Sequence, residues 1–220
     1  MSQVDFQRAR SQQAKQLRYD AILDAAQRLG VARGVSQVTL TDIADAVGMH
    51  KSAMLRYFET REEIFLHLTA TCWQEWSTSV RHKLISLNAP TEADVADTIA
   101  ETLSARGFFC DLLGQAPMHL ERNVSAEAVR DFKLIALAEL AATVAALRQA
   151  LPILTEQAAA DAIATATSLA GALWQFATPA PEVAELYRSD PRLAHAIVEI
   201  RPRLTCVLTA LFEGMTRTNV

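Results

Sequence analysis

Two helix-start signals enclose a short segment divided by a glycine, and this arrangement constrains the fold more than any other feature of the sequence. Thr39-x-x-Asp42 and Thr60-x-x-Glu63 both have the spacing of a capping box, in which a hydroxyl and a carboxylate bond free N–H groups at a helix start. Gly48 lies between them and is placed to end a helix of two turns. The pattern predicts a second helix from Thr39, a third from about Lys51 to Phe58, and a fourth from Arg61 to about Leu84.

A first helix is predicted upstream, from Ser11 to Arg33. Ile22, Ala26 and Leu29 share one face of it at helical spacing, and Gly34 is a plausible stop. Three compact helices with a tight glycine-containing turn between the second and third are typical of a helix-turn-helix unit.

The predicted third helix has an outer face suited to the major groove of DNA. Met54 and Phe58 are four residues apart and are expected to face the core. The opposite face then carries Ser52, Ala53 and Arg56. Arginine bonds bidentately to guanine, and a short apolar side chain can touch a thymine methyl. A solvated amphipathic helix explains the same residues, so the pattern alone leaves both interpretations open.

The rest of the chain also has helical patterns, and no segment alternates like a strand. Thr91 is a predicted N-cap for a helix to Ala105, and residues 107–122 are expected to form a short helix plus loop because Gly114 and Pro117 interrupt them. Later helices are predicted over 125–151, 155–177, 182–188 and 191–214. The sequence therefore predicts an all-α protein with a small three-helix domain at residues 1–60 and a larger helical domain at 61–220.

The charge of the chain is unevenly distributed. The net charge is −4, but residues 1–60 carry +2 and residues 61–220 carry −6. A basic arm at residues 1–10 contains Arg8 and Arg10, which are placed to reach phosphates or a minor groove. The chain has no apolar run long enough for a membrane span, and its polar N-terminus lacks the apolar core of a signal peptide. We therefore expect a cytoplasmic protein with no membrane partner.

No catalytic or metal-binding motif is present in the sequence. The histidines are scattered without an HExxH pattern, the chain lacks a glycine-rich phosphate loop, and no serine lies in a GxSxG setting. The expectation is a protein that is not an enzyme and has no cofactor and no metal. The three cysteines, Cys72, Cys110 and Cys206, are predicted to be small buried hydrophobic residues.

The segment from Val38 to Phe58, VTLTDIADAVGMHKSAMLRYF, followed by ETREEIF, resembles the DNA-binding signature of the tetracycline-repressor (TetR/AcrR) family. The positions that match the family pattern are Gly34, Thr39, Ile43, Ala44, Gly48, Lys51, Tyr57 and Phe58. Three positions depart from it. His50 replaces the usual serine cap, Leu55 replaces a frequent tyrosine, and Gly30 replaces a bulky core residue.

The resemblance implies a dimer whose two recognition helices read a palindromic operator. It implies phosphate contacts at Lys51, Tyr57 and Arg61. The residues implied by the resemblance and those on the outer face of the predicted third helix together form the set of candidate DNA-binding residues. They are Thr39, Thr41, His50, Lys51, Ser52, Ala53, Leu55, Arg56, Tyr57 and Arg61.

The C-terminal domain is expected to bind a ligand and to form the dimer. The stretch GALWQF from Gly171 to Phe176 is similar to a segment in the eighth helix of many family members. Aromatic walls with a few polar groups suit a small-molecule pocket. The candidate ligand-binding residues are Trp73, Trp76, Phe108, Phe109, Met118, His119, Trp174, Phe176 and Tyr187. Core packing is the alternative for each of them.

Two apolar stripes are candidates for the dimer interface. One follows the eighth helix and one the final helix, at Ala158, Ala159, Ala162, Ala166 and Ala170 and at Ile197, Ile200, Leu204, Leu208 and Leu211. The same stripes could be core of the monomer, and the sequence does not separate the two.

These features together predict a ligand-responsive transcriptional repressor. Its expected partners are a double-stranded DNA operator, a small hydrophobic or aromatic effector that releases the DNA, and a second copy of the chain. The alternatives are an activator or constitutive DNA-binding protein without ligand, and an all-helical enzyme acting on a hydrophobic substrate.

Overall fold

A computed structural model describes the backbone of residues 3–218 and the side chains of residues 12–217. Within these residues the chain forms α-helices joined by short turns and no strand, so the all-α prediction is confirmed. The α-helices are α1 Gln3–Arg33, α2 Leu40–Ala46, α3 Lys51–Met54, α4 Arg61–Ser86, α5 Glu92–Ser104, α6 Gly107–Gln115, α7 Ala126–Ala150, α8 Glu156–Ala177, α9 Pro181–Ser189 and α10 Ile200–Thr218.

The N-terminal helices α1–α3 enclose a small core. Ile22 and Ala26 of α1 meet Ile43 of α2 and Met54 of α3, and all four side chains are buried. Both predicted stops adopt a positive φ, which costs a glycine little: 85° at Gly34 and 64° at Gly48. Thr39 forms the predicted capping box with Asp42.

The helical body, α4–α10, packs in pairs around a second part of the core. Helix α4 lies along α7, α5 lies along α10, and α6 lies along α8. Helix α4 begins directly after the segment that follows α3 and continues into the body, so one rigid element joins both parts of the molecule. The division of the chain at residue 60 stays a prediction.

Two predicted helix starts were wrong. Helix α1 begins at Gln3 and not at Ser11, so residues 3–10 belong to a helix and do not form an arm before it. The side chains of Arg8 and Arg10 lie outside the described residues. The final α-helix begins at Ile200, after a 3-10 helix over Pro191–Ala196. This start places Pro202 in the first turn of α10, where a missing N–H breaks no helical hydrogen bond.

The predicted third helix is shorter than expected, and the predicted loop after α6 is helical. Arg56 N–H donates to Ala53 O and Tyr57 N–H to Met54 O, so the backbone tightens into i→i+3 turns after Met54. Residues Ala116–Leu120 form one π-helical turn containing Pro117.

The alanine and leucine stripes proposed for dimerisation belong mostly to the core of the monomer. Ala159, Ala162, Ala166 and Ala170 of α8 are fully buried, as are Leu204 and Leu208 of α10. Helix α8 presents this small-residue face to α6 and α10. The stripes are therefore already occupied within one chain, although Ile197 is exposed. Any second copy of the chain must meet other faces of these helices.

Among the described residues, no helix is both long and apolar enough to span a membrane. Within the same residues, no cluster of histidine, cysteine and carboxylate side chains has the arrangement of a metal site.

Candidate DNA-binding surface and ligand cleft

A turn of defined geometry sets the position of α3. After Gly48, the N–H of Met49 donates to Ala44 O and brings the chain back across the end of α2. His50 serves as N-cap without a capping side-chain bond. Its ring instead lies 3.0 Å from the Ser52 hydroxyl, from Nδ1 to Oγ. His50, which stands where the family usually has a serine cap, therefore leaves the start of α3 without a side-chain cap.

An aromatic cluster anchors the inner side of this segment. Met54 and Phe58 are buried, as predicted. The Tyr19 ring stacks on Phe58 with centroids 4.7 Å apart, and His67 of α4 meets Phe58 edge-on at 5.7 Å. Burial raises the pKa of Tyr19, and the nearby Glu63 carboxylate raises it further. The cluster packs α1, the turn after α3 and the first part of α4 against one another.

The predicted DNA-binding residues are for the most part available to solvent. Those with exposed side chains are Thr39, Thr41, His50, Lys51, Ser52, Leu55 and Arg56, and those half-buried are Ala53, Tyr57 and Arg61. Helix α1 adds two cations that the candidate list missed. Lys15 and Arg18 line one cleft together with Arg56 and Tyr57. The basic composition of the first eighteen residues was the signal that could have identified them.

The cations of this surface are not neutralised by neighbouring carboxylates. Among the side chains of residues 12–217, none of Lys15, Arg18, Lys51 and Arg56 takes part in an ion pair. Most cations of the helical body are paired, such as Arg201 with Asp97 at 2.8 Å. The four exposed cations Lys15, Arg18, Lys51 and Arg56, of which the first, second and fourth share a cleft, are here called the cationic face. Without ion pairs they retain their positive charge.

Arg61 differs from the other predicted DNA contacts because its guanidinium is already bound. It donates to the backbone carbonyls of Val35 and Val38, pairs with Glu62 at 3.1 Å, and lies 4.8 Å from the centre of the Phe65 ring. Arg61 thus fixes the connection after α1 to the start of α4. Its phosphate contact stays a prediction.

The start of α4 also departs from the expected full capping box. Thr60 accepts from the N–H of Glu63, as predicted. The Glu63 carboxylate, however, accepts from the N–H of Glu59 over 2.7 Å and not from that of Thr60.

Three of the aromatic residues proposed as pocket walls form core packing. Trp73, Trp76 and Phe109 are buried and contact one another with ring centroids 5.4 to 6.0 Å apart. The Trp76 indole N–H donates to the Thr102 hydroxyl over 3.1 Å, so its polar atom is satisfied inside the protein. These rings pack against one another in the centre of the body.

The remaining candidates separate into two groups. Met118, His119 and Phe176 are exposed, and Tyr187 is half-buried on α9. Phe108 and Trp174 share a cleft of about 800 Å³ between the end of α1, helix α6, and the connection from α8 to α9. Of the nine predicted residues, the structure thus brings these two together in one cleft, which we call the junction cleft.

Two glycines explain how the aromatic rings fit into this cleft. A Cβ atom at Gly30 would lie 2.6 Å from the Phe108 ring, and one at Gly107 would lie 2.2 Å from the Trp174 ring. Both distances are far below van der Waals contact. Gly30 therefore leaves room for the side chain of α6, which accounts for the missing bulky residue noted in the sequence.

Asp111 connects the two sides of the junction cleft. Its carboxylate accepts a hydrogen bond from Val35 N–H over 2.7 Å and another from the Gln175 amide over 3.0 Å. The residue is buried, and its remaining accessible surface lines the cleft. Sequence reasoning missed Asp111, since no local pattern distinguishes it from a solvated aspartate.

Comparison with protein families matches both parts of the chain. Residues 22–68 match the family described as bacterial regulatory proteins, tetR family, and residues 70–219 match the family described as tetracyclin repressor-like, C-terminal domain. No curated protein matches the chain.

Several solved structures share the fold at low sequence identity. A TetR-family transcriptional regulator of Mesorhizobium loti is 14% identical with a TM-score of 0.55, covering 91% of this chain and 95% of that chain. The fatty acid degradation regulator FadR of Bacillus halodurans is 14% identical with a TM-score of 0.51, covering 87% and 97%. FadR of Thermus thermophilus, solved with lauroyl-CoA, is 18% identical with a TM-score of 0.52, covering 82% and 95%.

Proposed function

Because the chain belongs to the tetracycline-repressor family of transcriptional regulators, we propose that it is a repressor that binds a palindromic operator as a homodimer and leaves it when a small molecule binds. Members of this family are DNA-binding regulators and not enzymes. The observation that carries the proposal is the cationic face, whose four cations have no carboxylate partner among the described side chains although the whole chain has a net charge of −4.

Contacts to DNA divide into those that position the protein and those that read bases. Lys15, Arg18 and Lys51 are exposed cations suited to phosphates, which fix register without reading sequence. Arg56 is exposed just after α3 and is suited to bidentate bonding with guanine. Ser52 and Ala53 are small and allow the start of α3 to approach the base edges.

The dimer that we propose uses the outer faces of α8 and α10. These two helices are neighbours, and each exposes a group of small or medium-sized residues: Ala164, Thr165, Ser168 and Ala172 on α8, and Cys206, Val207 and Ala210 on α10. Small side chains let two such helix pairs approach closely across a two-fold axis, which gives an isologous interface. The opposite faces of both helices are buried within the monomer.

The dimer is tested by charge insertion. Val207→Glu on α10 places a charge in the proposed interface, and we expect light scattering to show a monomer at concentrations where the natural protein is dimeric. Ala138→Glu on the exposed face of α7 is the matched control and leaves the dimer intact. A Val207→Glu variant that stays dimeric contradicts this interface.

Release by a small molecule is supported by the junction cleft and by the fold. The cleft volume of about 800 Å³ lies within the range of small-molecule sites. The Thermus thermophilus FadR was solved with lauroyl-CoA, so a protein of this fold can hold a small-molecule ligand that includes a long apolar chain.

Selection of genomic DNA fragments by the purified protein tests the proposal. We expect a palindromic site to be enriched, with its two halves about one helical turn of DNA apart, near 34–36 Å. Fragments bound without any common sequence would contradict operator recognition. A site found upstream of genes that need this protein for expression would indicate an activator.

A further inference from the structure

The junction cleft contains a buried negative charge without a positive partner. Asp111 is 7% exposed, and its two carboxylate oxygens accept from neutral donors, an amide of the backbone and the amide of Gln175. No lysine, arginine or histidine among residues 12–217 forms an ion pair with it. Buried carboxylates are normally paired with a cation or a metal.

Aromatic rings stand beside this carboxylate. Phe108 and Trp174 are only partly buried, and both line the same cleft as Asp111. The face of an indole or phenyl ring carries negative potential and attracts cations. Two such rings beside a carboxylate without a cationic partner are the groups that would attract positive charge on a flat apolar molecule.

The other charged group of the cleft does not oppose this conclusion. Arg33 lies at the rim with its side chain half exposed, and it pairs with Asp42 at 3.3 Å. The Arg33–Asp42 ion pair has no net charge, and solvent screens it. The negative charge of Asp111 thus dominates the interior of the cleft.

We propose that the junction cleft binds a planar aromatic cation, held between Phe108 and Trp174 with its positive charge on Asp111. This site rests on the proposed function because it identifies the effector class. The cation competes with Val35 N–H for the carboxylate and so weakens the hydrogen bond that ties α6 to the segment after α1. Binding is thereby coupled to the position of the N-terminal helices.

Two naphthalene probes of opposite charge test the site on the full chain without DNA. We expect calorimetric titration to show that trimethyl(2-naphthylmethyl)ammonium binds at least about tenfold more tightly than 2-naphthylacetate. Asp111→Asn keeps the shape and an acceptor for Val35 N–H, and it should lower the affinity for the cation about tenfold. Asp24→Asn removes an equal charge from the exposed face of α1 and should leave that affinity unchanged.

A second pair of variants tests the aromatic wall if Asp111→Asn proves poorly folded. Trp174→Leu should weaken binding of the cation, whereas Phe176→Leu, on the same helix but outside the cleft, should not. Equal affinities for the two probes, or an unchanged affinity in Trp174→Leu, overturn the proposed site.

Release from DNA is measured in a separate experiment. The cation site and the ligand-induced release of the operator can therefore be contradicted independently. If the naphthyl cation binds in the cleft but leaves operator binding unchanged, this ligand response is contradicted while the site stands. If the cation does not bind, the site is overturned, and operator recognition is judged by fragment selection alone.

Discussion

The carboxylate of Asp111 in α6 accepts a hydrogen bond from the backbone N–H of Val35 over 2.7 Å, although the two residues are 76 positions apart in the chain. This bond joins the helical body to the segment that leads into α2. Arg61 binds the carbonyl of the same Val35 from the start of α4. The segment after α1 is thus held from two helices of the body, and any shift of α6 or α4 acts directly on it.

Removing the Asp111 carboxylate should loosen this connection. In Asp111→Ala the buried N–H of Val35 loses its partner, and we expect unfolding free energy to fall by about 1–3 kcal/mol. Hydrogen exchange should speed up first at Val35. Urea denaturation and amide exchange measure the two effects, with Asp24→Ala as the control. Unchanged exchange at Val35 would show that the bond contributes nothing to holding the segment.

Arg56 and Lys51 should affect DNA binding in different ways. Arg56→Ala is expected to weaken operator binding by about 1–3 kcal/mol and to relax one base preference, because a bidentate contact to guanine is lost. Lys51→Ala should weaken binding to all sequences alike. The slope of log affinity against log salt should become shallower by about one, as expected for the loss of one phosphate contact. Competition binding with operator and scrambled duplexes separates the two. An Arg56→Ala variant with unaltered sequence discrimination would refute the base-reading role.

Lys15 and Arg18 should add affinity without sequence preference. Replacing both with glutamine removes two cations of the cationic face. The slope of log affinity against log salt should become shallower by about two, as expected for the loss of two phosphate contacts. Arg122→Gln removes an exposed cation just after the π-helical turn at Ala116–Leu120, away from the cationic face and the proposed dimer interface, and is the matched control. The prediction fails if the double variant and the control show the same salt dependence.

Stability at low pH should depend on a contact between α5 and α10. Hydrogen bonds from the Arg201 guanidinium, with one from Thr205, hold the pKa of Asp97 below its usual value. A lowered pKa means that the contact stabilises the fold above the ordinary aspartate pKa and is lost as pH falls through the lowered value. The pair is half exposed, so the contribution is below about 1 kcal/mol.

Asp97→Asn checks this pH dependence. Its unfolding free energy should lie below that of the natural protein at pH 7, and the gap should close as the pH is lowered toward 3. Asp24→Asn should show no such convergence. A constant gap between pH 7 and pH 3 would mean that Asp97 does not carry the effect.

Local signals in the sequence were sufficient for the helix-turn-helix region and for most helix starts. Thr39 and Thr91 cap their helices as predicted because capping depends on residues within one turn. Met54 and Phe58 are buried because helical spacing places them on one face. The short α3 was not predicted, since its end depends on i→i+3 bonds that leave no composition signal.

The contacts that define the candidate sites are long-range and could not be predicted. Lys15 and Arg56 line one cleft only in the folded chain, and Asp111 meets Val35 only there. The core packing of Trp73, Trp76 and Phe109 could not be predicted either. An aromatic residue on a helix has the same sequence pattern whether its side chain packs in a core or lines a cavity. Cys72 and Cys110 are buried as predicted, but Cys206 is exposed on α10, so the prediction was wrong for this residue.

Gly107→Ala should move Trp174 and close part of the junction cleft. The added Cβ would lie 2.2 to 2.9 Å from three atoms of the indole ring, so the ring must turn away from α6 toward the open side. We expect a loss of about 1–3 kcal/mol in unfolding free energy from this overpacking.

Tryptophan fluorescence reports the movement of the ring in this variant. Trp73 and Trp76 are buried, so a red shift of the emission of Gly107→Ala identifies Trp174 as the side chain that became more exposed. The displaced indole occupies space in the cleft, and the affinity for the naphthyl cation should fall together with the emission shift. A red shift with full affinity for the cation would show that the probe binds elsewhere on the protein.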